Sequence, residues 1–306
     1  MVSFILRRCL SLVIVLWCVI TITFFLVRLA PGGPFSRDRK IPPAIERQLL
    51  ARYKLDGTLW QQYSDYLGDL IRGDLRLSTK YRDRSVNELI ADGLPVSCAL
   101  GAAAFLLATT VGVWLGSLAA VRHHTAIDTA SMFSALALIS IPPFVTGPIL
   151  VLVFGLWLRW LPVGGWSSWT SLILPSITLA GPYIAYIARL MRSSMLEVLG
   201  NDFIRTARAK GLTDSRVIAR HALKVAILPI VSFLGPLAAN LLTGSIVVES
   251  IFNIPGIGGF FVNSILNRDV FLLSGVVIVY CALLVFLNLL VDLAYSALDP
   301  RIRLYE

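Results

Sequence analysis

Charged side chains are scarce in this chain, and their scarcity excludes an ordinary soluble fold. Of the 306 residues, 15% are charged and 57% are hydrophobic, and the mean hydropathy is +0.77. A soluble domain carries about 25% charged residues. One globular core cannot bury so much apolar surface, so lipid must be the solvent for part of it.

Cysteine and histidine are also rare, which argues against a disulfide framework or a zinc site. None of the cysteines forms a C-x-x-C pair, and all lie in or beside apolar runs: Cys9, Cys18, Cys98 and Cys281. We predict that these thiols are reduced, buried, small hydrophobic residues. The His123–His124 pair lies in a short loop, where we expect solvated surface rather than metal ligands.

The sequence lacks the motifs of an ATPase and of a nucleic-acid binder. No Gly-Lys dipeptide occurs, so the phosphate-binding motif G-x-x-x-x-G-K-[ST] is excluded. No Ser/His/Asp set or carboxylate pair lies in the apolar runs. The net charge of +9 comes from basic residues between those runs rather than on one soluble face. We therefore predict that the chain is not an enzyme and binds no nucleic acid.

Six apolar runs are long enough to cross a bilayer, since a spanning helix needs about 20 residues. They are Leu10–Leu29, Val96–Val121, Met132–Trp157, Leu172–Ile187, Val225–Val248 and Phe271–Ala297. The first run is too long for a signal-peptide core and precedes no cleavage site of small residues. We predict an all-α polytopic membrane protein with six transmembrane helices.

Lysine and arginine in the short loops predict the orientation. One side carries Arg7, Arg8, Arg122, the group from Arg189 to Lys224, Arg301 and Arg303, whereas the short loops of the other side carry only Arg159 and Arg268. Both termini and the second and fourth loops are therefore expected to be cytoplasmic.

The long first loop, on the outer side, has the pattern of two short amphipathic helices. Pro42-Pro43 suits a helix start. Four-residue spacing then follows on both sides of Asp56-Gly57, first in Ile45, Leu49 and Tyr53 and then in Trp60, Tyr63, Leu67 and Leu70. These helices either cap the bundle or form a docking platform, and the pattern leaves both open.

The fourth loop predicts a helix–glycine–helix elbow. Helix-forming residues run from Asn201 to Gly211, which suits a helix-terminating residue of positive φ. Thr213 or Asp214 then caps a second helix through Val217, Ile218 and Leu223. From periodicity alone, the elbow is either a protein-docking knob or a basic face against anionic lipid.

This segment resembles the loop signature of bacterial ABC-importer permeases, E-A-A-x-x-x-G-x9-I-x-L-P. Aligned on Gly211, Arg205-Thr206-Ala207 take the Glu-Ala-Ala positions, and Arg205–Leu212 spell the R-T-A-R-A-K-G-L form of the peptide-importer branch. The end departs from the signature, because strict spacing places His221–Lys224 at I-x-L-P, while Leu228-Pro229 follows five residues later.

Further stretches extend the resemblance over nearly the whole chain: Phe4–Arg8, Arg28–Gly32, Gly244–Gly258, Asn267–Asp269 and Asp299–Arg303. The chain resembles permeases of the oligopeptide/dipeptide/nickel family, most closely the B subunits of oligopeptide permeases from Gram-negative bacteria.

The resemblance implies a type I ABC-importer permease in the bacterial inner membrane. Its expected partners are a second homologous permease, two cytoplasmic ATPase subunits and a periplasmic substrate-binding protein, with ATP and magnesium on the ATPases and no cofactor here. It implies three parts: residues 1–30, a periplasmic loop 31–95, and a permease core 96–306 with a coupling loop 190–224. The residues expected to contact the ATPase are Arg205, Thr206, Ala207, Arg208, Ala209, Lys210, Gly211 and Leu212.

Within that elbow, small Ala207 and Ala209 are expected to permit close approach, and the basic side chains to make complementary contacts. Ile204, Leu212 and Val217 are expected to anchor the elbow or to fill the groove of the ATPase subunit that receives it. The sequence does not identify the residues that line the substrate path.

Two alternatives concern the cargo and the class of transporter. The same permease role would serve dipeptides, glutathione, nickel or another small solute. A self-sufficient secondary transporter would usually need a buried carboxylate near the midplane. The intramembrane polar residues are instead Asn240, Asn288 and Asp292, the last near the cytoplasmic end.

Overall fold

The computed structural model describes residues 2–29, 42–242 and 245–298. Within these ranges every regular element is a helix, apart from an isolated antiparallel bridge between Leu77 and Ser85. The α-helices are α1 (Val2–Leu29), α2 (Pro43–Arg52), α3 (Leu59–Ile71), α4 (Val86–Val121), α5 (Ala126–Ser140), α6 (Pro143–Leu150), α7 (Ile173–Leu199), α8 (Asp202–Ala209), α9 (Asp214–Val217), α10 (Leu223–Ala226), α11 (Leu228–Leu242), α12 (Ile246–Ile251), α13 (Ile257–Asn267) and α14 (Val270–Leu298). Two π-helical segments, Val151–Trp157 and Ile218–Ala222, follow α6 and α9, and a 3₁₀ turn, Trp169–Leu172, precedes α7.

Four helical segments of the described chain are long and apolar enough to span a membrane: Leu10–Leu29, Val86–Val121, Trp169–Leu199 and Val270–Leu290. Two further pairs qualify only as broken spans, Ala126–Ser140 with Pro143–Trp157, bent by 106°, and Asp214–Ala226 with Leu228–Leu242, bent by 52°. The count reaches the six predicted spans if each bent pair is one span.

The sharper of the two breaks lies at the Pro142-Pro143 pair. Ile141 is extended, with φ −98° and ψ 117°, and Pro142 is extended, with φ −60° and ψ 149°. Ring clashes disfavour helical backbone before a proline, whereas proline suits the first position of the next helix. The third apolar run is therefore two helices rather than a single straight one.

The described chain divides into two compact units. The first is formed within Met1–Ser97 and Pro255–Leu289, and the second within Cys98–Ile254 and Leu290–Pro300. Residues 30–41, which open the predicted outer loop, lie outside the described residues, as do Gly244 and the tail arginines Arg301 and Arg303. Cys18, Cys98 and Cys281 are free thiols that are only partly buried, so the prediction of full burial is wrong for them.

The first unit contains the two predicted outer helices, α2 and α3. Thr58 and Gln61 form a reciprocal capping box at the start of α3. Tyr63 of α3 packs edge-on against Phe24 of α1, and its hydroxyl lies 2.7 Å from Thr21 Oγ1. Trp60, predicted on the same apolar face, is instead 72% exposed.

Buried polar contacts tie the rest of the outer loop together. Asp69 of α3 accepts a 2.8 Å bond from Arg76 Nε and 3.2 Å bonds from Lys54 Nζ. Ser78 donates to the buried Asp269 carboxylate, which also accepts from the Leu272 amide in the first turn of α14. The described part of the loop, residues 42–85, is therefore a folded segment rather than a flexible connection.

The second unit is organised around α7, most of which is buried. A Cβ atom placed on Gly116 of α4 would lie 2.3 Å from the Ala188 carbonyl oxygen, and one on Gly112 would lie 2.7 Å from Ile187 Cβ. The two glycines thus allow α4 to approach α7 at backbone contact.

Candidate functional site

The predicted inner elbow begins where α7 ends. After Leu199, the chain turns at Gly200 and Asn201, and α8 starts at Asp202. Asn201 occupies the N-cap position with extended backbone, and its carbonyl oxygen accepts from the Ile204 amide at 3.1 Å. Asp202 in the first turn places negative charge at the positive end of the helix dipole.

The bend itself is a Schellman motif centred on Gly211. The Gly211 amide donates to the Arg208 carbonyl at 2.9 Å, and the Leu212 amide donates to the Ala207 carbonyl at 3.4 Å. Gly211 has φ +80°, in the left-handed region that side chains with a Cβ avoid. The prediction that glycine ends the first helix is confirmed.

The second arm of the elbow starts at Thr213, as predicted, but without a side-chain cap. Thr213 is the N-cap residue of α9, yet its side chain makes no capping bond. Its carbonyl oxygen accepts from the amides of Arg216 at 2.9 Å and Val217 at 3.0 Å. The helix then continues through the π-helical segment to α10 rather than as one regular helix.

The inner face of the elbow is buried against this chain. Ile204 of α8 and Val217 of α9 are fully buried, and Ala207 is buried as well. Ile204 and Val217 therefore fix the elbow to its own chain. Ala207 lies on this inner face, where its small side chain packs within the chain.

The outer face of the elbow presents a short basic surface. Arg205, Thr206, Arg208, Ala209 and Lys210 are all exposed. The Arg205 side chain is 77% exposed, with Asp202 3.6 Å away, and Arg208 Nε bonds Asp214 Oδ1 at 3.0 Å across the bend. Exposed pairs of this kind contribute about 0–1 kcal/mol, so they leave the arginines able to change partners.

Phe203 belongs to the outer face as well, and sequence reasoning missed it. It is 42% exposed, although it is a large apolar residue. Exposed aromatic residues are frequent anchors at protein interfaces.

An ionic cluster around the buried Asp128 joins α7 to α5 and to the α4–α5 turn. Arg192 donates to both oxygens of Asp128 in α5, from Nε at 2.6 Å and from Nη2 at 2.7 Å. His123 Nδ1 lies 3.0 Å from the same carboxylate, and the His124 amide donates to it at 3.2 Å. His123 and His124 are exposed, as expected, and the contact of His123 with Asp128 joins the α4–α5 turn to this cluster.

The elbow and the Asp128 cluster offer groups for contact with another protein and for packing within this chain. Among the described residues, no group of three or more His, Cys, Asp or Glu side chains could hold a metal ion. The elbow offers exposed cations, one exposed aromatic ring and a fixed bend. Such a surface is suited to contacting an acidic or polar groove of another protein.

A family model described as "Binding-protein-dependent transport system inner membrane component" matches residues 112–304, which include the elbow. The oligopeptide transport system permease protein OppB of Salmonella typhimurium is 48% identical over 305 residues, covering 99% of this chain and all of that protein. The dipeptide transport system permease protein DppB of Bacillus subtilis is 41% identical over 306 residues, covering this whole chain and 99% of that protein.

A solved structure of the MetNI methionine ABC transporter, in an inward-facing conformation, matches with a TM-score of 0.59. The match covers 69% of this chain and 96% of that one at 16% identity. At this identity the likeness shows the fold alone, which is that of ABC-importer permeases.

Proposed function

We propose that this chain is a permease subunit for oligopeptides. The chain belongs to the family of inner membrane components of binding-protein-dependent transport systems. Its location would be the inner membrane of a bacterium, with both termini cytoplasmic and each bent helix pair counted as one of six spans. The elbow carries the proposal, because it is a basic projection with a fixed bend in a chain of this membrane-component family.

The elbow would be the point at which ATP hydrolysis on other subunits acts on this chain. Residues Arg205–Leu212 would sit in a groove of a cytoplasmic ATPase subunit, with Arg205, Arg208 and Lys210 toward its acidic or carbonyl groups. Ile204 and Val217 are buried in this chain, so displacement of the elbow would be passed to α7 and α10. ATP and magnesium would remain on the ATPase.

The complete importer would contain further chains, since six helices form one half of a translocation path in this arrangement. We propose a second homologous permease, two ATPase subunits and a periplasmic binding protein that selects the cargo. Oligopeptides are favoured by 48% identity to the Salmonella typhimurium protein. Dipeptides are the second candidate, because the Bacillus subtilis dipeptide permease is 41% identical over the full length.

Reconstitution by omission tests the proposed function. Proteoliposomes holding the chain with its second permease, ATPase subunits and binding protein should take up labelled tri- to pentapeptides only when ATP is present. Leaving out the ATPase subunits should abolish uptake. Uptake that persists without them would overturn the proposal, and competition among peptides of two to five residues would decide between the two cargoes.

A further inference from the structure

The exposed face of α11 differs in chemistry from that of α4. Exposed positions recur every four residues along it, at Ser232, Pro236 and Asn240. Its single large exposed hydrophobic residue within the described range is Leu228, at the first position. By contrast, α4 exposes Leu106 (61%) and Trp114 (62%), as a lipid-facing helix does. The α11 face therefore suits water or protein rather than lipid.

The neighbouring face of α7 continues this surface. Tyr186 of α7 is 42% exposed, and its ring packs against Phe233 of α11 with centroids 4.3 Å apart. One turn away, the hydroxyl of Tyr183 accepts a 3.0 Å hydrogen bond from Asn240 Nδ2. The two helices thus share an uncharged polar surface, which we call the polar face: Tyr183, Tyr186, Ser232, Pro236 and Asn240.

A cavity of about 210 Å³ lies at one end of the polar face. Tyr183 and Asn240 contribute its polar groups, together with Ser245, and two leucines and two prolines complete the wall. None of the lining residues is charged. The volume is below the roughly 300–1,000 Å³ of sites that enclose a drug-sized ligand, so the cavity suits passing contact with part of a larger molecule.

Helix interruptions meet at this cavity. Pro143 in its wall opens α6 after the 106° break, and Pro182 lies inside α7. Ser245 is the N-cap of α12, and its Oγ accepts from the Val248 amide at 3.3 Å. Non-helical backbone at membrane depth is tolerated where it is buried in protein or lines a water-filled cavity. The cavity provides such a place.

We propose that the cavity and the polar face are this chain's contact with the peptide during translocation. A peptide backbone carries one donor and one acceptor at nearly every residue. Hydroxyl and amide side chains offer both, and the Asn240 bond does not use the hydrogen of the Tyr183 hydroxyl. A wall without charge accepts cargo of varied side chains. This inference rests on the proposed function.

Cysteine accessibility in the assembled transporter tests the location. The four native cysteines are first replaced, and Asn240→Cys is compared with Thr110→Cys on α4, whose hydroxyl bonds its own helix at Leu106. A neutral, hydrophilic maleimide should label Asn240→Cys and not Thr110→Cys. Trialanine, delivered with binding protein and ATP, should slow the labelling severalfold.

An unreactive Asn240→Cys in every nucleotide state would overturn the inference, and so would labelling that trialanine never slows. If Asn240→Cys does not assemble, Tyr186→Cys replaces it with the same expectations. Trialanine uptake by the cysteine-free parent is measured in parallel. Loss of uptake in the cysteine-free parent would count against the proposed function. An unlabelled position 240 in an active transporter would count only against the proposed contact of the polar face with the peptide.

A charge placed in the cavity provides a second measurement. Asn240→Asp should reduce uptake of a glutamate-containing tripeptide relative to a lysine-containing one by roughly tenfold. Asn240→Ala should change both to the same extent, since it adds no charge. Equal changes for the two peptides in Asn240→Asp would contradict contact between this residue and the cargo.

Discussion

At the scale of single residues, the elbow depends on Gly211. Its φ of +80° costs nothing in glycine, and no neighbouring atom lies within 4 Å of a Cβ built there. Backbone conformation, and not lack of space, therefore limits which residues position 211 accepts. A residue that tolerates the left-handed region should be accepted at this position, and a β-branched residue should not.

Replacing Gly211 with valine should disable the elbow, whereas asparagine should be tolerated. A side chain with a Cβ is strained in the left-handed region by about 1–2 kcal/mol, which corresponds to roughly tenfold in a coupled equilibrium. Peptide uptake per inserted subunit should fall by about that factor in Gly211→Val. Asparagine adopts this conformation at helix ends, so Gly211→Asn should keep most activity. Equal loss in both variants would show that bulk, not φ, matters.

Asp69 predicts a pH dependence of the outer loop. Burial by itself would raise the pKa of Asp69, but hydrogen bonds from Arg76 and Lys54 hold it below its ordinary 3.8. A depressed pKa means that the stabilisation is complete above about pH 4 and is lost as the pH falls through the lower, folded value. Limited proteolysis of the loop on outward-exposed vesicles should therefore accelerate below pH 4.

Asp69→Asn should remove that acid sensitivity and weaken the loop at neutral pH. Losing one partner of a buried pair costs about 3 kcal/mol or more, and Arg76 is buried beside it. The matched control is Asp83→Asn, because Asp83 pairs with Arg52 at 3.1 Å on an exposed surface. Proteolysis of the control should match the wild type at every pH. Identical behaviour of both variants would refute the role given to Asp69.

At the scale of helices, apolar length predicted where the spans lie but not where the helices end. The second span begins at Val86 rather than Val96, because Leu89 and Ile90 are buried in the first unit's core. A hydropathy average misses this first part of the helix, because its buried apolar residues alternate with polar ones. Helix α7 likewise continues past Ile187 to Leu199.

The candidate site was predictable in part. Glycine chemistry and the Arg205–Leu212 motif located the elbow and its bend. The same residues did not reveal that Ile204 and Ala207 are buried while the large apolar Phe203 stays exposed, because tertiary packing decides which of several apolar residues on a short helix is covered. The bonds between Arg192 and Asp128 join residues 64 positions apart, so no local pattern indicates them.

Asp128 should be important for the stability of the α5–α7 pair. Its carboxylate is buried and holds Arg192 through two bonds. Asp128→Ala removes both of these bonds from Arg192, whose side chain is 25% exposed, so the apparent Tm of the purified chain in detergent should fall by several degrees. Asp214→Ala breaks only an exposed pair and should leave Tm nearly unchanged. A reversed order would contradict the assignment.

At the scale of the whole molecule, six spans require the third loop and the elbow to lie on opposite sides of the membrane. Ser167→Cys and Ser215→Cys test this in a cysteine-free chain, since both positions are exposed. A membrane-impermeant thiol reagent should label Ser167→Cys in intact spheroplasts. It should label Ser215→Cys only after permeabilisation. Labelling of both in intact cells would exclude this topology.

A photo-cross-linking amino acid at position 209 tests whether the elbow contacts an ATPase subunit. Ala209 is small, exposed and on the outer face of α8, and the same amino acid at Ser167 provides the control. We expect an adduct of the ATPase subunit with the elbow in the assembled transporter and none from position 167. An elbow that reacts with lipid alone would instead identify it as a basic face lying against the membrane.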